Sequence, residues 1–402
     1  MKTDSYGSTF RARMGDRPIL PILTAVFFVL TFVIKAFVDD AYGRGDVSST
    51  IAYSKYLTAA IACVSGFAYA FRNGEKVFVK QFDSLLAIFI VFTIVSIGCI
   101  FFTGIFSSVV FEELLRLGMP ILLAYALLNS LNEDAIYKCM VIVLLASFIA
   151  YLVNLGIEGV SVSDFLNANF QESDSATESA SFSGISLVLT LYFAFFRKNK
   201  TWLFLATVFC VLTFKRLAIL VAVFAFIVSL FFPRLMRIRV SRNTLMSLKI
   251  ATILVVALWA WLLLPEQWGF ATLLFGKEPQ QFTMGRSTTF CYLLSSGFRS
   301  YGFGSASETV KAVFGMIFEM DLIKIALELT PLTMILFIWL FWDVAGTSLW
   351  GLVIVGFFMV NMITSDCLTS NFCLTLAYVT CGVVEQSFLK HDMLSETRNY
   401  DN

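Results

Sequence analysis

Long apolar runs separated by short polar segments dominate this chain. A helix that crosses a bilayer needs about 20 mostly apolar residues, and the pattern contains about twelve runs of that kind. The runs are centred near Phe28, Ile61, Ile94, Leu122, Leu145, Leu189, Ala206, Phe224, Val256, Phe337, Val355 and Leu376. The pattern therefore predicts an all-α, polytopic integral membrane protein with about 12 transmembrane helices.

One long interval, residues 265–330, contains no strong apolar run. The pattern therefore predicts four regions. Residues 1–264 form an N-terminal transmembrane bundle of about nine helices, and residues 265–330 form a large loop with short amphipathic helices. Residues 331–388 form three C-terminal transmembrane helices, and residues 389–402 form a cytoplasmic tail. A long loop held between spans is a place where a site at the membrane face can be built.

Composition supports a membrane protein and excludes several kinds of functional site. The chain is 58% hydrophobic and 14% charged, with a mean hydropathy of +0.81, whereas soluble domains carry roughly 25% charged residues. A net charge of +1 does not favour nucleic acid as a partner. The single histidine, His391, excludes a histidine metal cluster, and the eight cysteines lack metal-site or redox spacing. We expect no metal and no cofactor.

The distribution of basic residues predicts the orientation. If the N-terminus is cytoplasmic, the cytoplasmic segments hold 18 of the 29 lysines and arginines, and the opposite side and its flanks hold ten. Both termini are then cytoplasmic. The acidic segment 161–179 and the large loop 265–330 are then external.

Two pairs of basic residues suit an anionic ligand. Arg286 and Arg299 lie in the loop, where Gly285 and Gly297 would let the backbone approach a phosphate. The alternative is that these arginines only reach lipid headgroups. The other pair is Lys215 and Arg216, which interrupt two apolar runs and could also be a plain interfacial anchor.

Acidic residues complete the predicted external site. Glu319, Asp321 and Glu328 lie on an apparent amphipathic helix, in which Asp321 and Glu328 share a face and Glu319 lies opposite Glu328. A carboxylate there could orient an arginine or act as a general base, and the alternative is a solvated helix face. Asp366 and Asn371 are interpreted as helix caps. Together these residues predict a basic, membrane-level site for an anionic lipid.

Three segments resemble the superfamily of O-antigen polymerases and O-antigen ligases. They are "FKRLAILVAV", "MGRSTTF" followed by a glycine pair, and "DLIKIALELTPL" at the end of the large loop. Arg286 and Gly297 are similar to an arginine–glycine spacing of the polymerases. No histidine precedes the last segment, unlike in ligases, which favours the polymerase branch. Thr330 stands where the family has glycine, so we expect a different entry into the next span.

The resemblance implies a glycosyltransferase in a bacterial inner (cytoplasmic) membrane. Its substrate would be undecaprenyl-pyrophosphate-linked oligosaccharide, with the large loop periplasmic, and a chain-length regulator and a flippase as further partners. Arg286 and Arg216, then Arg299 and Lys215, would bind pyrophosphate, and Asp321 or Glu319 would be the base or orient an arginine. Competing interpretations are a lipid-linked oligosaccharide flippase, an O-antigen ligase and a solute transporter.

Overall fold

The computed structural model describes residues 19–43, 46–73, 76–155, 180–368 and 372–400. Over these ranges the chain forms helices and turns without a β-strand, apart from one isolated antiparallel bridge between Arg239 and Ser348. Within these described ranges, nine α-helices precede the large loop: α1 (Ile19–Gly43), α2 (Ser49–Asn73), α3 (Val79–Thr103), α4 (Ser108–Ser130), α5 (Glu133–Leu155), α6 (Ala180–Phe195), α7 (Lys200–Leu212), α8 (Arg216–Phe231) and α9 (Arg242–Leu262).

The large loop is itself helical. Its five short helices are α10 (Trp268–Phe275), α11 (Pro279–Phe282), α12 (Arg286–Ser295), α13 (Ser305–Phe314) and α14 (Asp321–Glu328). Three α-helices follow it in the part of the chain that the structure describes: α15 (Pro331–Trp342), α16 (Leu349–Thr364) and α17 (Cys373–Tyr400). The predicted all-α class is therefore confirmed for the described residues.

Membrane character is confirmed by the length and composition of the helices. Among the described residues, five candidate spans are long and apolar enough to cross a bilayer: Ile19–Asp39, Ser49–Asn73, Val79–Thr103, Glu133–Leu155 and Arg242–Leu262. Five further apolar helices are shorter. Each predicted centre lies within a described helix, but the number of helices that cross the membrane stays a prediction.

Described helices lie at two of the predicted boundaries, residues 331 and 389. The last helix, α17, continues through position 389, because no glycine or proline interrupts its sequence there. The helix after the loop, α15, has only 12 residues, or about 18 Å, against a hydrocarbon core of about 30 Å. It begins at Pro331, where the Thr330 hydroxyl accepts a hydrogen bond from the Thr333 N–H at 3.2 Å. The acidic segment 161–179 and Asn371 lie outside the described residues.

The described helices belong to two compact units. The first is drawn from Met1–Val77, Leu122–Thr190 and Asn199–Ile219, and the second from Phe78–Ile121, Leu191–Lys198 and Leu220–Asn402. Small polar side chains join α1 to α2 in the first unit. The Thr24 and Ser65 hydroxyls lie 3.0 Å apart, and those of Thr31 and Thr58 lie 2.9 Å apart, all of them buried. Such bonds suit helices that pack within a bilayer.

The second unit contains the large loop, which folds around an apolar core of its own. Buried side chains of α12, α13, α14, their connections and the end of α9 make up this core: Leu263, Phe290, Leu293, Ala306, Val310, Phe318, Met320 and Ile323. The loop also packs on α3, where the rings of Phe92 and Phe303 lie 5.0 Å apart and the Phe303 N–H donates to Ser96 Oγ at 3.1 Å. The segment that carries most of the predicted site is thus a folded element.

Candidate functional site

Glu328, the last residue of α14, joins the end of the loop to the start of α13. Its two carboxylate oxygens accept hydrogen bonds from the backbone N–H groups of Gly304 and Ala306, each at 2.7 Å. Gly304 is the residue before α13 and Ala306 lies in its first turn. N–H groups at this end of a helix have no acceptor within the helix. A carboxylate is the preferred acceptor at this end because of the helix dipole.

Gly304 also lets the start of α13 lie close to α4. Its φ angle is +104°, and a Cβ atom at this position would lie 2.8 Å from Cγ of Glu113. Any other residue would be strained and would displace the Glu113 side chain. Glu328 itself is fully buried, and burial raises its pKa from 4.5 to about 7, although Lys324 and the two N–H groups favour the ionised form.

A buried ion pair lies beside this contact. Lys324 Nζ donates to Glu113 Oε2 at 3.0 Å, and both side chains are almost completely buried. The ammonium also lies 5.0 Å from the centre of the Phe303 ring. Burial disfavours the charged ammonium, but Glu113 and other carboxylates outweigh it and raise the pKa of Lys324. The surrounding carboxylates therefore favour the charged form of Lys324.

Sequence reasoning missed Glu113 and its second partner, Arg116. Arg116 Nη1 donates to Glu113 Oε1 at 2.9 Å, and Arg116 Nη2 lies 3.6 Å from Glu112 Oε2. The signal was present in the sequence, because "FEELLRLGMP" places three charges within an apolar run. Ionisable residues in such runs are retained for a structural or functional reason.

Arg286 lies at a different, more open position. It is the first residue of α12 and follows Met284 and Gly285, both of which have left-handed backbone with φ of 54° and 85°. Its Nε donates to Glu319 Oε2 at 2.7 Å, Nη2 contacts the same oxygen, and Nη1 donates to the Thr283 carbonyl at 3.3 Å. The side chains of Arg286 and Glu319 are 24% and 40% exposed.

The structure places the other predicted acidic residues differently from the sequence expectation. Glu319 lies before α14, because the helix begins at Asp321, so the expected helix position of Glu319 is wrong. Asp321 and Glu328 are both buried and do not form a solvated face. Asp321 Oδ2 accepts hydrogen bonds from the N–H groups of Cys367 and Leu368, each at 2.7 Å.

Within the second unit, no described hydrogen bond or ion pair joins Arg299 to the Arg286–Glu319 pair. Arg299 is exposed and has no hydrogen bond or ion pair with the described residues, and Gly297 nearby has a φ of +68° and open space around it. Lys215 and Arg216 follow Phe214, a non-glycine residue with φ of 54°. They belong to the first unit, so their grouping with Arg286 stays a prediction.

Comparison with known proteins does not extend this assignment. No family model, curated protein or solved structure matches the chain. The chemistry therefore rests on the residues themselves. A partly exposed guanidinium that a carboxylate holds in place suits a phosphate or pyrophosphate oxygen. Within the described ranges no group of three or more histidine, cysteine or acidic side chains is arranged to hold a metal ion.

Proposed function

We propose that this protein polymerises undecaprenyl-pyrophosphate-linked oligosaccharide repeat units into O-antigen or a related surface polysaccharide. The observation that supports this proposal is the arrangement of Arg286, whose partly exposed guanidinium is oriented by Glu319 and Thr283. The proposal includes about 12 transmembrane helices in a bacterial inner membrane, both termini cytoplasmic and residues 265–330 on the periplasmic side.

The reaction would transfer a growing chain from its lipid carrier to a new unit. A hydroxyl oxygen of the acceptor sugar forms a bond to the anomeric carbon of the donor, and the bond from that carbon to the pyrophosphate breaks. The hydroxyl proton passes to a base, and undecaprenyl pyrophosphate leaves as an anion. The donor is already activated, so the step consumes no nucleotide.

Arg286 suits the role of stabilising the leaving group. Nε, Nη1 and Nη2 each make one contact, and each terminal nitrogen of a guanidinium carries two N–H groups. N–H groups therefore remain for a phosphate oxygen, and a donor that is already oriented costs no reorganisation during the reaction. Glu319 orients this guanidinium.

The two candidate bases differ in access. The Glu319 side chain is 40% exposed, whereas Asp321 is fully buried and its Oδ2 is occupied by two backbone N–H groups. A general base must come within hydrogen-bond reach of the proton that it removes. We therefore assign direct contact with substrate to the Arg286–Glu319 pair and a supporting role to Asp321.

Gene deletion followed by gel analysis of the surface polysaccharide tests the function. Loss of a polymerase leaves acceptor capped with a single repeat unit, and plasmid-borne wild-type protein restores the ladder. A ligase would instead leave lipid-linked polymer with no attached repeat. A flippase would leave single lipid-linked units that stay on the cytoplasmic side. Either of these two outcomes contradicts the proposal.

Reconstitution separates the reaction from the pathway. Purified protein in liposomes, given undecaprenyl-pyrophosphate-linked repeat units, should form a ladder of lipid-linked oligomers and release undecaprenyl pyrophosphate. The Arg286→Ala variant, reconstituted into the same liposomes in the same way, should form no ladder. Transport of the lipid without any new glycosidic bond would exclude polymerase activity.

A further inference from the structure

Asp321 attaches α14 to the segment that connects α16 with α17. Its Oδ2 accepts the N–H groups of Cys367 and Leu368 at 2.7 Å each, and its own N–H donates to the Ser365 carbonyl at 3.4 Å. The side chain is 0% exposed. These bonds make Asp321 the main polar contact described between α14 and this connection.

The other carboxyl oxygen of Asp321 is left without a partner. Oδ1 is buried and makes no hydrogen bond with any described residue, and Asp321 forms no ion pair with them. The nearby ammonium, Lys324, is instead paired with Glu113 at 3.0 Å. An ionised carboxylate in this position would bury an oxygen with no hydrogen bond and a charge with no direct counter-ion, which is costly.

A second carboxyl group lies beside it. Asp366 precedes Cys367 and is partly exposed. Burial, and then the charge of Asp366, raise the pKa of Asp321 well above its ordinary value, while Lys324 and the Cys367 N–H act in the opposite direction. Burial, and then the charge of Asp321, raise the pKa of the neighbouring Cys367 thiol. Glu113 and Glu328 face Lys324 and partly offset its charge.

We propose that Asp321 and Asp366 form a proton-binding site in which two carboxyl groups share one proton. With the proton on Oδ1, Asp321 becomes a donor directed towards the Asp366 carboxylate, and its unpartnered buried acceptor disappears. Asp321 Oδ2 keeps both backbone N–H groups. Partial exposure of Asp366 connects the pair to water, so the proton can exchange. The site holds the connection between α16 and α17 against α14 and does not depend on the proposed function.

Infrared spectroscopy of the full-length protein in detergent tests this assignment directly. The wild type should show the C=O stretching band of a protonated carboxylic acid at neutral pH, and Asp321→Asn should remove the component that belongs to the pair. Glu328 can contribute a second component, which Glu328→Gln identifies. Asp83→Asn, an exposed acidic position on α3, is the matched control and should change nothing. An unchanged band in Asp321→Asn would overturn the proposal.

Asp366→Asn provides a second test that keeps Asp321 in place. Removing the neighbouring charge should lower the pKa of Asp321, so that its band disappears at a lower pH than in the wild type. If the band titrates at the wild-type pH in this variant, the carboxyl groups do not share a proton. Should Asp321→Asn fail to fold, this comparison still decides the question.

Thermal unfolding gives an independent measure. A carboxyl group whose pKa is raised by folding contributes stability that is full below about pH 4, its ordinary pKa, and is lost as the pH rises through the raised value. The melting temperature of the wild type should therefore fall with pH over this window, and Asp321→Asn should fall less steeply. Equal slopes would contradict the shared proton.

Discussion

Two ion pairs of the second unit have the same chemistry and opposite surroundings. Lys324 and Glu113 meet where both side chains are almost completely buried, whereas Arg286 and Glu319 are 24% and 40% exposed. The first pair joins α14 to α4, elements that are far apart in sequence, and the second joins the start of α12 to the residue two positions before α14.

The difference in exposure separates structure from function. A buried pair loses its hydration completely, so each charge depends on its partner and is not available to a ligand. A partly exposed pair loses little hydration and contributes little to the free energy of unfolding. It can exchange one of its contacts for a ligand oxygen. We therefore expect the two pairs to respond oppositely to the same kind of substitution.

The largest effect should come from breaking the buried pair. Lys324→Met leaves the Glu113 charge without its buried partner, and loss of one partner of such a pair costs about 3–5 kcal/mol of unfolding free energy. Thermal or denaturant unfolding in detergent measures this loss. The double variant Lys324→Met with Glu113→Leu should recover much of it. A stable single variant would show that this pair does not support the fold.

The next effect concerns the exposed pair and should appear in activity. Arg286→Ala should lower the rate of polymer formation by about 100- to 1,000-fold, the usual cost of removing one charge-stabilising donor. Its melting temperature should change little, because a partly exposed pair contributes less than about 1 kcal/mol. Arg286→Lys should recover only part of the rate, since lysine lacks the planar fork. Normal chain length in Arg286→Ala would remove Arg286 from the site.

Glu328 should show an intermediate effect that depends on pH. Glu328→Gln keeps one acceptor for the two N–H groups of Gly304 and Ala306, and we expect a loss of about 1–3 kcal/mol. Because folding raises the pKa of Glu328 from 4.5 to about 7, the wild type should lose stability as the pH rises between these values, and the variant should not show this component. Parallel melting curves over that range would contradict the assignment.

The smallest effect should be that of Arg299. It is exposed and unpaired within the described residues, so Arg299→Ala should leave the melting temperature unchanged. If it only assists ligand binding from the surface, the rate should fall less than about fivefold, which corresponds to less than about 1 kcal/mol. A loss as large as that of Arg286→Ala would make Arg299 an equal ligand of the substrate.

Helix positions were the most predictable part of the molecule. Apolar runs of sufficient length have few alternatives to a helix in lipid, because every backbone polar group must be satisfied within the segment. The same reasoning located the large loop as the interval without such a run. It did not show that the loop folds around its own core, because the helices α10 to α14 are short and have mixed composition.

The candidate site was only partly predictable. Arg286 and Glu319 were both selected from the sequence, but their pairing across 33 residues was one of several arrangements. Glu113 was missed because its partner, Lys324, lies 211 residues away. Asp366 was interpreted as a cap, since the sequence does not show that Asp321 packs against the same connection.

The sequence by itself determined that this is an all-α membrane protein with one large polar segment, because hydrophobicity and backbone hydrogen bonding act locally along the chain. The tertiary structure alone decided which charges are buried and which remain accessible. Burial depends on packing between distant segments, and it separates the structural charge of Lys324 from the partly exposed charge of Arg286.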